Sequence, residues 1–199
     1  MNHSDCLDFR IFDRIVRIHP ADRVSRRAVE VNYGAFRTNA AYADFELAIT
    51  ALGGRYYLET EDGVKASCSD RTALQYDLEK TICIGLELLR RDLLFIHSAV
   101  VARDEEAFVL VGESGAGKST LTWALLQTDF AYGSDELGPI DKNGLVYPYP
   151  HALCLKSLPP KPFVVPDCTY RTERTLHIPI QDTKIKILRT ALPVTRVFF

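Results

Sequence analysis

The sequence predicts an α/β protein in which a strand–loop–helix unit is preceded by a small β-rich region. Ala107 to Val111 is a short apolar run typical of a buried strand, and Leu121 to Leu126 has helical character. Short apolar segments separated by glycine and proline follow this unit, and alternating segments precede it. Many short strands around one strand–loop–helix unit favour a β-rich α/β fold over a regular βα alternation.

The segment between the predicted strand and helix is a complete phosphate-binding loop of the pattern G-x-x-x-x-G-K-[ST]. Its glycines allow successive backbone N–H groups to curl around phosphate oxygens. The lysine ammonium can reach the outer phosphates, and the serine hydroxyl after it can bind Mg²⁺. A helix beginning near the lysine directs its positive dipole end at the anion. The nucleotide-binding residues predicted here are Gly112, Glu113, Ser114, Gly115, Ala116, Gly117, Lys118, Ser119 and Thr120.

Composition excludes several other classes of function. The chain has 199 residues, of which 47% are hydrophobic and 25% charged. A net charge of −2 provides no basic field for nucleic acid or for an acidic membrane surface, and no apolar run reaches transmembrane length. The five cysteines are scattered and odd in number, which predicts neither a disulfide framework nor a zinc site. We therefore expect a reduced, cytoplasmic setting.

Residues 1–70 are predicted to form the small β-rich region. Phe45, Leu47 and Ile49 alternate with other residues as in a half-buried strand, and Glu59 to Gly63 is predicted to be a hairpin turn. Pro20 to Arg27 is polar and is predicted to be a loop.

Residues 71–92 are predicted to form a linking helix between this region and a nucleotide-binding domain at 93–199. Asp70 or Thr72 can cap the helix. Its apolar residues recur at helical spacing and predict a core-facing element: Leu74, Leu78, Ile82, Leu86 and Leu89.

Beyond the loop helix, four segments are predicted strands: Gly144 to Tyr147, Ala152 to Leu155, Ile185 to Leu188 and Val194 to Phe199. Four prolines make residues 158–167 a predicted surface loop. The apolar chain end suggests either a domain truncated at its C-terminus or a strand edge completed by another subunit of a homo-oligomer.

Two further sets of residues are candidates for chemistry. Asp135-Glu136 follows an apolar run, as the acid of a Walker B strand does, although Gly133-Ser134 interrupts the run. The alternative is a solvated acidic pair at a strand end. His97 lies within an apolar stretch, where a lone histidine is more often a core residue than a catalytic one. Ser98 beside it lacks a nucleophile elbow.

Taken together, His97-Ser98-Ala99-Val100-Val101, the loop and Ser134-Asp135-Glu136 resemble the catalytic domain of HPr kinase/phosphorylase. The resemblance is closer to the short HPr-kinase-related serine kinases and covers residues 93–156. It implies a phosphoenolpyruvate-carboxykinase-like P-loop kinase core. It also implies that Asp135 takes the proton from an acceptor serine and that His97 tunes this carboxylate. Glu136 stands where the family usually has a second aspartate, which implies a metal-binding or orienting role.

The sequence departs from the HPr kinases at two places. Thr120 stands where they usually have glutamate, and their downstream glycine-containing signature has no match, so the resemblance supports kinase rather than phosphorylase activity. Pro150 to Lys156 occupies that region in an arrangement common in the shorter relatives. Lys156 is a candidate phosphate contact, although an exposed strand-end lysine is the favoured interpretation.

These observations predict an ATP- and Mg²⁺-dependent kinase acting on a serine of a protein or peptide, with Ser119 and Glu136 as Mg²⁺ ligands. Two alternatives remain: a non-catalytic ATP-binding regulatory module and an ordinary P-loop NTPase. The kinase hypothesis requires the side chains of Asp135 and His97 to meet beside the loop.

Overall fold

The computed structural model describes residues 6–199 and divides them into two compact units. The first contains residues up to 90 together with 172–174, and the second contains 91–171 and 175–199. Within the described residues the architecture is mixed α/β, with three α-helices and three sheets. None of the helices in this part of the chain is long and apolar enough to cross a membrane.

The first unit is built on a six-stranded sheet with the strand order β3-β1-β2-β4-β5-β6. All pairs are antiparallel except β2 with β4. Its elements are β1 (Leu7–Ile11), β2 (Arg14–His19), α1 (Arg23–Tyr33), β3 (Arg37–Thr38), β4 (Phe45–Leu52), β5 (Arg55–Thr60), β6 (Gly63–Cys68) and α2 (Arg71–Leu89).

Helix α1 lies where the sequence predicted a loop, so the prediction for Pro20 to Arg27 was wrong from Arg23 onward. The Asp22 side chain accepts a hydrogen bond from the Ser25 N–H, and the Ser25 hydroxyl accepts one from the Asp22 N–H. This reciprocal cap satisfies the first helical amides. Its polar residues gave the segment a loop-like composition, whereas Ala28 and Val29 bury its inner face.

Helix α2 confirms the predicted core-facing helix, and Asp70 caps it by accepting a hydrogen bond from the Ala73 N–H at 2.8 Å. Its fully buried apolar side chains are Leu74, Leu78, Ile82 and Leu86. The helix packs on α1 and on strands β2, β5 and β6, which makes it a part of the first unit.

The second unit contains a seven-stranded mixed sheet with the order β10-β8-β9-β16-β12-β11-β7, and a small three-stranded sheet with the order β13-β15-β14. The helix α3 follows the phosphate loop. The elements are β7 (Leu93–Ile96), β8 (Ser98–Arg103), β9 (Glu106–Val111), α3 (Lys118–Leu125), β10 (Ala131–Ser134), β11 (Gly138–Asp141), β12 (Leu145–Val146), β13 (Leu153–Leu155), β14 (Tyr170–Arg171), β15 (Leu176–Ile178) and β16 (Leu192–Phe198).

The strand that carries the phosphate loop is β9, which pairs antiparallel with β8 and parallel with β16. In the strand order the chain's last strand, β16, lies between β9 and β12. Its first two residues, Leu192 and Pro193, pair with β12, whereas Val194 to Phe198 pair with β9. Residues 158–167 contain no helix or strand, as predicted. Ile185 to Leu188, a predicted strand, forms only one isolated bridge, between Ile187 and Tyr132.

Strand β10 includes the Gly133-Ser134 pair that weakened its prediction. A Cβ placed on Gly133 would lie 2.8 Å from a methyl carbon of Val100 and 2.9 Å from its carbonyl oxygen. Only glycine permits this close approach of β10 to β8. The register shifts between Tyr132 and Ser134, which marks an irregularity at this point of the strand.

A core cluster joins α3 to both sheets of the second unit. Its buried members come from β8, α3, β10, β13 and the segment around β15: Val101, Trp123, Leu126, Tyr132, Leu153, Leu155, Ile178 and Ile180. Because β13 contributes two of these residues, the position of Lys156 directly after it is fixed by the core.

Candidate functional site

The backbone of the phosphate loop has the conformation that its glycines allow. Gly115 and Gly117 have φ values of +93° and +92°, in the left-handed region that glycine adopts without strain. A Cβ on either glycine would meet no atom within 4 Å. Among the described residues, the internal backbone hydrogen bond of the loop runs from the Ala116 N–H to the Glu113 carbonyl. The loop therefore has open space beside Gly115 and Gly117, and of its described amides only one is bonded within it.

Helix α3 begins at Lys118 directly after the loop, as the sequence predicted. Its N-cap is Gly117, which has no side chain to satisfy the first-turn amides, and Leu121 N–H donates to the Gly117 carbonyl. The remaining amides and the positive end of the helix dipole suit a phosphate group. The loop and α3 together thus fit a bound anion.

Two lysine ammonium groups contact the loop. Lys118 Nζ donates to the carbonyl oxygens of Gly112 at 2.6 Å and Glu113 at 3.2 Å. Lys156 Nζ donates to Ser114 Oγ at 2.7 Å. Lys156 is exposed, as the sequence favoured, yet its ammonium also reaches the loop. Both cations are thus placed where a bound phosphate could attract them away from weaker, uncharged acceptors.

The register of the sheet brings His97 and the acidic pair to the same sheet edge as the loop. Ser98 at the start of β8 pairs with Val111 at the end of β9. His97, directly before β8, and Gly112, directly after β9, therefore leave the sheet at the same end. Strands β9 and β10 both run antiparallel to β8, so their carboxyl ends lie at the same end of the sheet. Asp135 and Glu136 directly follow β10, so they lie at this end of the sheet together with His97.

Glu136 is the accessible carboxylate of the acidic pair. Its Oε1 lies 3.6 Å from His97 Nδ1, and the two side chains are 42% and 51% exposed. The turn that carries Glu136 is fixed by the Ser134 hydroxyl, which accepts hydrogen bonds from the N–H groups of Glu136 and Leu137 at 3.3 and 3.0 Å. The Glu136 carboxylate and the His97 imidazole are therefore accessible to a ligand and can exchange a proton with it.

Asp135 is the buried carboxylate of the pair and is 1% exposed. Its Oδ1 accepts a hydrogen bond from the Tyr132 hydroxyl at 2.8 Å, and its Oδ2 accepts one from the Cys154 N–H at 2.9 Å. His151 Nδ1 lies 3.5 Å from Oδ1. In this arrangement His97 contacts Glu136, and the histidine beside Asp135 is His151.

Sequence reasoning did not single out His151 or Tyr132. His151 follows a proline in a segment without periodicity, so no signal connected it with Asp135. Tyr132 lies three residues before Asp135 and is fully buried in the core. The Cys154 N–H that also bonds to Asp135 belongs to β13, in the other sheet, so this part of the surroundings of Asp135 depends on tertiary packing.

The residues predicted to hold Mg²⁺ are Ser119 and Glu136. In the described part of the chain no three His, Cys, Asp or Glu side chains are grouped so as to hold a metal ion. A Mg²⁺ ion bound to nucleotide phosphates needs only one or two protein ligands, since phosphates and water supply the rest. A serine after the loop lysine supplies one such oxygen, so the residues present fit this mode of binding.

The fold and the site define a mixed α/β protein with a complete phosphate loop and an acidic pair at the edge of one sheet. No protein-family model matches the sequence, and comparison with curated proteins gives no significant match. The resemblance to the HPr kinases therefore stays a prediction carried by the motifs themselves.

Proposed function

We propose that the chain is an ATP- and Mg²⁺-dependent kinase that transfers the γ-phosphate to a serine hydroxyl of a protein or peptide. The observation that carries the proposal is the meeting of the phosphate loop, His97 and the acidic pair at one edge of the sheet. A phosphate loop alone only holds a nucleotide, whereas an adjacent accessible acid–base pair provides a group for the acceptor's proton.

In this proposal residues 112–120 hold the triphosphate. Lys118 turns from the carbonyls of Gly112 and Glu113 to the outer phosphates, and Lys156 turns from Ser114 to the same charge. Charge-assisted bonds to phosphate are stronger than the uncharged contacts that they replace. Ser119 would hold Mg²⁺, which supplies neutralisation of charge on the β- and γ-phosphates. Glu136 was the second predicted ligand, but a carboxylate bound to Mg²⁺ is a poor base, so in this proposal it takes the proton and does not bind the ion.

The transfer step needs a base that a substrate can reach. Glu136 meets this requirement, because its carboxylate is exposed and lies beside the equally exposed His97 imidazole. The acceptor hydroxyl oxygen bonds to the γ-phosphorus while the bond from that phosphorus to the β,γ-bridging oxygen breaks. The acceptor's proton passes to the Glu136 carboxylate, and ADP leaves with the bridging oxygen.

The resemblance assigned the base to Asp135, and this assignment stays a prediction. For Asp135 to act as the base, one of its carboxylate oxygens must first lose its hydrogen bond from Tyr132 or from Cys154. In the arrangement described, Asp135 joins the end of β10 to β13 and so positions Lys156 two residues beyond Cys154. We assign it this positioning role.

The finer fold is part of the same proposal. The loop strand has one antiparallel and one parallel neighbour, which differs from the all-parallel sheet of ordinary doubly wound proteins. This mixed arrangement supports a phosphoenolpyruvate-carboxykinase-like kinase core over an ordinary P-loop NTPase. A cytoplasmic setting, inferred from the scattered cysteines, completes the proposal.

The test is transfer of labelled γ-phosphate from ATP with Mg²⁺ to an array of serine-containing peptides, with water as the background acceptor. We expect transfer by the wild-type chain and a loss of about 100-fold in Glu136→Gln, since an amide cannot take the proton. The matched control is Glu106→Gln, an exposed glutamate at the start of β9, which should transfer normally. Full activity of Glu136→Gln together with inactivity of a folded Asp135→Asn variant would move the base to Asp135.

A second candidate is a non-catalytic nucleotide sensor. The observation that favours it is the burial of Asp135, whose two oxygens already accept hydrogen bonds from the protein. A sensor binds ATP and becomes more stable as the logarithm of the ligand concentration rises, yet neither transfers nor hydrolyses phosphate. Binding of ATP with no labelled product on any peptide and no released phosphate would favour the sensor.

A further inference from the structure

The most exposed aromatic rings of the second unit lie at one place, the carboxyl end of β16. Phe198 is 49% exposed and Phe199 is 98% exposed, whereas the other phenylalanine, tyrosine and tryptophan side chains described in this unit are buried or half-buried. Single exposed apolar residues are common on protein surfaces, so exposure alone gives Phe198 no function. What distinguishes Phe198 is its position relative to the phosphate loop.

The register of the sheet places Phe198 beside the strand that carries the loop. Strand β16 runs parallel to β9, and Phe198 pairs with Leu110, two residues before Gly112. Neighbouring strands lie about 4.8 Å apart, and a strand rises about 3.3 Å per residue, so the Cα atoms of Phe198 and Gly112 are separated by roughly 8 Å. The ribose of a nucleotide bridges a gap of this order between the phosphates and the base.

The ring of Phe198 lies on the face of the sheet that carries α3. Paired residues of neighbouring strands point to the same face and successive residues alternate, so Phe198 shares a face with Leu110 and Phe108. Phe108 packs on the core cluster that includes Trp123 of α3. Phe198, the phosphate loop and the first turn of α3 therefore lie at the same end of the sheet and toward the same face.

The residue before Phe198 points to the opposite face. Val197 pairs with Val109, which is 1% exposed and packs with Val146 in a separate core cluster. Val197 itself is 45% exposed. Two apolar side chains of nearly equal exposure thus leave β16 in opposite directions, and only that of Phe198 is on the face of α3.

A nucleotide held by the loop needs a second contact for its base. The loop and Lys118 bind phosphate oxygens and leave the flat faces of the base uncovered. Stacking on an aromatic ring is favourable for every base, because every base has a π face. Among the described phenylalanine, tyrosine and tryptophan residues of this unit, Phe198 alone combines an exposed ring with a place in the sheet beside the loop strand.

We propose that the Phe198 ring stacks on the base of a nucleoside triphosphate whose phosphates occupy the loop. This inference rests on the nucleotide binding of the proposed function, and it adds the residue that distinguishes a nucleotide from a bare polyphosphate. It involves neither Glu136 nor Asp135, so it holds for a kinase and for a nucleotide sensor alike.

The experiment compares ATP with inorganic tripolyphosphate, which has three phosphates and no base, each with Mg²⁺. Isothermal titration calorimetry on the full chain measures both affinities, and circular dichroism verifies that each variant is folded. We expect Phe198→Ala to weaken ATP binding about 10-fold, because the stacking contact is lost, and to change tripolyphosphate binding by less than about 2-fold. The matched control is Val197→Ala, on the opposite face, which should leave both affinities within about 2-fold of wild type.

An aromatic replacement gives a second reading. Phe198→Trp should keep the affinity for ATP, and ATP should quench the added indole fluorescence whereas tripolyphosphate should not. The signal of Trp123, measured in the wild-type chain, is subtracted.

Two results would overturn the stacking contact and leave the kinase proposal intact. One is unchanged ATP affinity in Phe198→Ala, and the other is an equal loss for ATP and tripolyphosphate, since the ring would then support the loop and not the base. A wild-type chain that binds neither ligand would overturn the stacking contact together with the nucleotide site of the proposed function.

Discussion

The phosphate loop and the surroundings of Asp135 lie at one edge of the same sheet, yet they are built in opposite ways. Residues 113–117 of the loop are exposed, and the backbone hydrogen bond within this segment runs from the Ala116 N–H to the Glu113 carbonyl. Asp135 is buried, with both oxygens accepting hydrogen bonds from other elements. From this difference we expect ligand affinity and stability to depend on different residues of this site, so that a substitution can remove one without the other.

The largest expected effect is a loss of stability when the buried residue, Asp135, is replaced. Asp135→Ala should reduce the free energy of unfolding of the second unit by about 3 kcal/mol, because the Tyr132 hydroxyl and the Cys154 N–H both lose their buried acceptor. The chain's single tryptophan, Trp123, lies in the core of this unit, so its fluorescence during urea unfolding reports the change.

The neighbouring carboxylate provides the matched control. Glu136→Ala removes an exposed side chain whose contact with the His97 imidazole is solvated, and it should change the free energy of unfolding by less than about 0.5 kcal/mol. Equal destabilisation by the two alanine variants would contradict the division into a buried and an accessible acid.

The loop side of the comparison predicts loss of affinity without loss of stability. Lys118→Met should weaken ATP binding about 100-fold, because the outer phosphates lose their point charge. Titration with a fluorescent ATP analogue measures this, and the unfolding curve should stay unchanged. Lys142→Met alters an exposed lysine of the same unit and should retain affinity. A Lys118→Met variant that binds ATP normally would remove the loop as the nucleotide site.

The loop, its strand and its helix were predictable because each follows from local chemistry. Left-handed φ values at Gly115 and Gly117, and a helix start at Lys118, are consequences of residue types at fixed spacing. Helix α1 was missed for the same kind of reason: the polar residues of its reciprocal cap resemble those of a loop. Predictions from composition confuse these two uses of polar residues.

The partners of the site residues could not be predicted, because they depend on tertiary register. The resemblance to the HPr kinases implied that His97 tunes Asp135, whereas the structure places His97 beside Glu136. The acceptor for Lys156 lies in the loop, 42 residues earlier in the chain. That contact exists because Leu153 and Leu155 anchor β13 in the core, which no periodicity over three residues can indicate.

A smaller effect is expected at the second cation. Lys156→Gln should weaken ATP binding about 10-fold, since one charge-assisted contact to phosphate is lost while the loop remains intact. ADP should be affected less if the lost contact is to the γ-phosphate, so the ratio of the two affinities reports the position of Lys156. Lys161→Gln, an exposed lysine in the proline-rich segment, is the control. Unchanged affinity for both nucleotides would return Lys156 to the role of a surface lysine.

The smallest effect tests a buried carboxylate that serves structure alone. In the first unit, hydrogen bonds from the Arg17 guanidinium hold the pKa of Asp8 below its ordinary value of 3.8. A lowered folded-state pKa means that the ionised carboxylate adds stability above pH 3.8, and that this stability is lost as the pH falls below it. Asp8→Asn should therefore increase amide exchange at Phe9 and Val16 at neutral pH, and the difference from wild type should shrink in more acidic solution. The increase should be modest, because Arg17 retains its bond to the Ala40 carbonyl. Since Asp8 lies outside the phosphate site, ATP affinity should stay unchanged, and a loss of affinity in this variant would contradict the separation between stability and binding.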